Sequence, residues 1–109
     1  MKLKEVATMI KSIGLPYAYY QFKKNSAPAL PYLVFYYPNN SDMHADNINY
    51  QKISALNIEL YSENKSFADE KRVEDVLSAN GITYTKTESY LSDEKMFEVL
   101  YESEVLING

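Results

Sequence analysis

The feature that most constrains this chain is the run Leu30 to Tyr37, LPYLVFYY, because an extended strand built from it has no polar side. Strand alternation places Tyr32, Val34 and Tyr36 on one face and Leu33, Phe35 and Tyr37 on the other. One face must meet the domain's own core. The other asks for a second layer or for another protein chain, and 109 residues leave little material for a second layer. The asymmetry points towards assembly.

That length fits a single domain spanning residues 1–109, and 46% hydrophobic with 24% charged residues is the balance of a globular chain. Tyrosine supplies 11 of the aromatics, against 4 phenylalanines and no tryptophan. Interfaces enrich tyrosine because it buries a large ring and keeps a polar tip, although a tyrosine-rich sheet surface has the same composition. The formal net charge is −4, with 11 basic residues scattered among 15 acidic ones. No basic stripe exists to neutralise phosphates, since Lys23 and Lys24 are the one short cluster, so direct nucleic-acid binding is disfavoured. The absence of cysteine removes disulfides, thiolate nucleophiles and thiolate zinc sites. Lys and Glu interrupt the apolar positions of Met1 to Ile13, unlike a signal peptide, and no later run approaches the ~20 apolar residues of a membrane span. The expectation is a soluble protein made in a cytoplasm, without membrane partners.

Leu3, Val6, Ala7, Ile10 and Ile13 fall at helical spacing opposite Lys4, Lys11 and Ser12, and Gly14 is placed to end the helix in a left-handed conformation. Tyr17 to Phe22 reads as a strand, Lys23 to Ala29 as a loop, and Leu30 to Tyr37 as a strand ended by Pro38. Asn39 to Asn49 is a long polar connection, to which a docking role is assigned. In the strand after it Ile53 and Ala55 share one parity and Leu56, Ile58 and Leu60 the other, which a bulge near Ala55 reconciles. Ser66 and Asp69 resemble a capping box before a helix with Val73, Val76 and Leu77 as its buried stripe, running to Asn80 and Gly81. Ile82 to Leu91 and Met96 to Ile107 then form a hairpin turned at Ser92-Asp93, with Phe97, Val99, Tyr101, Val105 and Ile107 opposite Glu98, Glu102 and Glu104. The order α-β-β-β-α-β-β predicts an α+β domain, a mostly antiparallel sheet with two helices packed on one face.

Catalytic chemistry finds little support. Asp42, His44 and Asp46 alternate in a way that could aim two carboxylates and an imidazole at one metal, but three ligand types in one loop arise commonly by chance, and the loop is read as solvated. No serine elbow occurs, and Gly14, Gly81 and Gly109 cannot build a phosphate cradle. The acid pairs Glu63 with Asp69 and Asp69 with Glu70 are read as surface acids at a helix start, favoured by the dipole. The expectation is a protein that is not an enzyme and holds no cofactor or metal.

The tract from Ala27 to Leu77, followed by Ile82 to Val105, carries a family resemblance. Pro31-Tyr32 opens an aromatic strand, Ala45-Asp46-Asn47 stands with Tyr50 in the loop, Ile58-Glu59-Leu60-Tyr61 precedes the second helix, and Glu94-Lys95-Met96 opens the last strand. In these cues the chain resembles the small tail-completion, tail-terminator or head-tail joining proteins of long-tailed bacteriophages and prophages of Gram-positive hosts. The resemblance implies a virion structural protein, assembled in the bacterial cytoplasm, whose subunits form a ring, commonly a hexamer, at the head-proximal end of the tail tube. Its implied partners are other copies of itself, the tail tube protein and the head-tail connector, with DNA only passing through the lumen. No motif fixes the contact residues; exposure suggests Tyr32, Tyr36, Tyr37, Asp42, His44, Asp46, Asn47 and Tyr50 as interface positions. The competing reading is a small acidic binding protein, a nucleic-acid mimic that blocks an enzyme, against which stands the interruption of its acids by basic residues.

Overall fold

A computed structural model describes the backbone of residues 1–38 and 52–108 and the side chains of 1–38 and 55–107. Its elements are α1 (Leu3–Ser12), β1 (Tyr17–Tyr19), β2 (Tyr32–Tyr36), β3 (Lys52–Ser62), α2 (Phe67–Ala79), β4 (Tyr84–Leu91) and β5 (Met96–Asn108). They build an α+β domain: one five-stranded sheet in the order β1-β2-β3-β5-β4, with both helices on one face. Leu33, Phe35, Leu56, Ile58, Leu60, Val99, Tyr101 and Ile107 project from that face into a core closed by Val6, Met9 and Ile10 of α1 and Val73 and Leu77 of α2.

The first helix ends as expected at Gly14, whose φ of +89° a side chain rarely adopts, and the Gly14 carbonyl accepts from Arg72 Nη1 of α2 at 3.4 Å. Its buried stripe differs from the expected one. Met9 is buried and Ala7 faces solvent, because the two positions flank the stripe and the larger side chain removes more apolar surface from water. In α2 the Ser66 hydroxyl accepts from the Asp69 N–H at 3.3 Å, Val73 and Leu77 are buried, and Val76 is half-buried.

In the sheet β2–β3, β3–β5 and β5–β4 are antiparallel, whereas β1 runs parallel to β2, pairing Tyr17 with Leu33 and Tyr19 with Phe35. The first strand is shorter than the expected Tyr17 to Phe22. Tyr20 takes a φ of +71°, so extension stops there and the chain turns away after its N–H has bonded the Phe35 carbonyl at 2.8 Å. The expected irregularity lies between Ile53 and Ala55, where Val105 and Leu106 of β5 stand opposite the single Ser54. The hairpin turn spans residues 92–95, with Lys95 at a φ of +53°. Among the described residues no helix is long and apolar enough to cross a membrane.

Candidate functional site

The sheet face away from the helices divides into an aromatic half and an acidic half. On β2, Tyr32, Val34 and Tyr36 point to this side, as alternation requires, while Leu33 and Phe35 enter the core. The chain itself supplies part of the second layer. After the turn at Tyr20, the Tyr20 ring lies 6.2 Å from that of Tyr36 and Phe22 packs edge-on at 5.1 Å against Tyr32, which also meets Tyr61 of β3 at 5.4 Å. Val34 is buried between these rings although it lies outside the helix-side core. Tyr20 remains 66% exposed, so the layer is open at its rim.

Beside the rings lies a carboxylate pair. The Tyr61 hydroxyl is 2.8 Å from Glu59 Oε1 and 2.9 Å from Glu98 Oε2, its cross-strand neighbour in the β3–β5 register. One phenol proton cannot serve both acids at once. Tyr36 donates to Glu59 Oε2 at 3.3 Å, Asn57 Nδ2 donates to the Tyr36 hydroxyl at 3.4 Å, and Ser89 donates to Glu98 Oε1 at 3.2 Å. Burial pushes the Glu59 carboxyl above the usual carboxylate range; the Tyr61 and Tyr36 hydroxyls pull it down, and nearby Glu98 pushes it further up. The Tyr61 phenol is raised strongly, by burial first and then by the two acids it bonds. Glu102 and Glu104 continue the acidic row along β5, both exposed. Among the described side chains, the strands place no lysine or arginine on this face.

The opposite face holds the other buried acid, and here the expectation is corrected. Glu70 is not a surface acid at the start of a helix: it is 2% exposed, beneath α2 and above β4. Lys86 Nζ lies 2.6 Å from Glu70 Oε1 and 2.8 Å from Glu74 Oε2, Lys65 Nζ lies 2.9 Å from Glu70 Oε2, and Lys65 also pairs with Glu88. Tyr101 donates to Glu74 at 2.9 Å. Burial alone would raise the Glu70 carboxyl, but the two lysines outweigh it and hold the group below its ordinary value, while Lys86 is raised by the carboxylates it bonds.

Of the interface positions expected from sequence, Tyr32 and Tyr36 lie together on the outer face, both half-buried. Tyr37 does not join them. It lies on the helix side, 5.7 Å from Tyr19 and 6.4 Å from Phe35, where burial first and Tyr19 second push its phenol up to about 12. Asp42, His44, Asp46, Asn47 and Tyr50, with the whole connection 39–49, lie outside the described residues. Sequence reasoning missed the Glu59–Tyr61–Glu98 cluster: Glu59 and Tyr61 are two apart on one strand, but nothing local announces that β5 sets Glu98 opposite Tyr61. Among the described residues no group of acidic and histidine side chains could hold a metal ion. In comparisons with known proteins, no family model, no curated protein and no solved structure matches this chain.

Proposed function

We propose that this chain is a ring-forming structural protein of a phage tail, ending tube growth at the head-proximal end and serving head-tail joining. The observation that carries the reading is the outer sheet face: a small domain turns a half-covered aromatic patch and a row of carboxylates outward, next to two sheet edges. A ring of copies covers such edges and faces by heterologous contacts, and its work is mechanical, without catalysis or cofactor. The carboxylate row Glu98, Glu102 and Glu104 also favours the second reading, a mimic of nucleic acid that blocks an enzyme.

Light scattering of the purified protein, with electron microscopy and mass spectrometry of purified tails, separates the two. The expected result is a ring that forms with concentration or on tail tubes, with the protein at one end of the tail. A chain that stays monomeric, is absent from virions and captures a DNA-binding enzyme overturns the ring reading.

A further inference from the structure

Resting on that ring reading, we infer that neighbouring subunits are joined by the outer stripe of α1 on one copy docking along β5 on the acidic sheet face of the next. The two surfaces match in charge, spacing and relief. On α1, Lys4, Ala7, Thr8 and Lys11 are all exposed and, at intervals of three and four residues, form one stripe away from the core. The lysines stand about 10 Å apart along the axis, with small residues between them that let a backbone approach closely. The Thr8 hydroxyl is turned back onto the Lys4 carbonyl at 3.0 Å and adds no unmet donor to the stripe. On β5, Glu98 and Glu102 share the outer face about 13 Å apart, with half-buried Leu100 between them. A Lys-Ala-Lys ridge laid along a Glu-Leu-Glu track pairs both charges at the reach of a lysine side chain and sets Ala7 on Leu100.

The carboxylates on this face have hydroxyl partners and, among the described residues, no cation, while Lys4 and Lys11 form no ion pair with a described residue. The occupant is therefore a second copy of this chain. The two patches lie on opposite sides of one domain, so the contact is head-to-tail, the kind that closes into a ring.

The test is charge reversal at exposed positions, with assembly read by light scattering and electron microscopy, alone and on tail tubes. Lys4→Glu with Lys11→Glu, or separately Glu102→Lys with Glu104→Lys, should raise the concentration needed for assembly by roughly tenfold or more. Glu98 is left in place because it is tied to Tyr61 and Ser89. Mixing the two defective proteins should restore rings, since each reversed helix then meets a reversed sheet and each native helix a native one. Ala7→Glu, also exposed, repeats the test without touching a lysine. Raising salt from about 0.1 M to about 1 M, where the Debye length shrinks from roughly 10 Å to roughly 3 Å, should weaken wild-type assembly. If the wild type assembles and the reversals assemble equally well, the interface is wrong and the ring survives. If reversals abolish attachment to tubes but not ring formation, the acidic face docks the tube and self-docking is overturned. If the wild type assembles nowhere, the ring reading itself has failed.

Discussion

Two carboxylates, Glu70 and Glu59, stand on opposite sides of the same sheet, and both are drawn out of water. They meet opposite fates. Glu70 lies between Lys65 and Lys86 and is held ionised, whereas Glu59 shares one phenol proton with Glu98 and is pushed towards its neutral form. Burial acts in the same direction on both, so the cations decide the difference. The Glu70 cluster closes its electrostatics within one subunit, and the open side leaves its own unfinished. An acid cluster that meets no cation among the described residues is a place where assembly can add one at little cost in conformational entropy, because Tyr61 and Ser89 already fix the Glu98 carboxylate.

The largest expected effect of breaking this comparison is on the helix side. Glu70→Ala removes the anion beneath α2 and leaves Lys86 only Glu74 and Lys65 only Glu88, where breaking a pair costs about 3–5 kcal/mol if the partners are fully buried. Here Lys65 and Lys86 are 29% and 31% exposed and can recover water, so about 2 kcal/mol is expected, with a melting temperature lower by roughly 10 °C. The folded-state value of Glu70 lies below its unfolded value, so its contribution is present at neutral pH and lost as pH falls through the folded value. Urea titrations of wild type and variant should converge as pH falls through that folded value. A gap that stays constant through that pH would show that Glu70 acts through packing rather than charge.

On the open side the smaller expected loss comes from Tyr61→Phe, which deletes the donor that two acids share. At neutral pH this should cost about 1 kcal/mol, the worth of a hydrogen bond to a charged group reduced by partial exposure. The cost should shrink in acid, where a protonated Glu59 can itself donate to Glu98. Equal destabilisation at both pH values would assign Tyr61 to ring packing against Tyr32 instead.

The contrast between these clusters also marks what the sequence could say. Signals confined to a few neighbouring residues were legible: the left-handed Gly14, the Ser66 cap, the irregularity near Ala55 and the alternation along β2 and β5 all appear where their spacing placed them. Partners distant in sequence were not. Glu70 looks like an ordinary acid in the first turn of a helix until β4 brings Lys86 beneath it, and Tyr61 and Glu98 become neighbours only through the β3–β5 register. The parallel first strand was equally hidden, since its end depends on a left-handed Tyr20 that composition does not forbid. Tyr37 shows the limit of alternation alone: its parity was correct, but a strand face says nothing about whether helices or solvent cover it.

The smallest effect gives the sharpest test, because its sign opposes the usual expectation that removing a hydrogen-bonded acid destabilises. Glu59 has a folded-state value above its unfolded one, so its protonated form is favoured by folding. That contribution is fully present below the unfolded carboxylate value of about 4.3 and is lost as pH rises through the folded value, which leaves a penalty at neutral pH. Glu59→Gln keeps the shape and can still accept from Tyr61 and Tyr36, yet carries no charge beside Glu98. The isolated subunit should therefore gain up to about 0.5 kcal/mol at pH 7 and nothing at pH 4, measured by denaturant titration at low protein concentration. In an assembled ring the sign should reverse, because lysines of the next subunit would then favour the charged acid that the glutamine lacks. A variant less stable than wild type as a monomer at pH 7 would mean that Glu59 is already compensated within its own chain, and the open face would lose its claim to be unfinished.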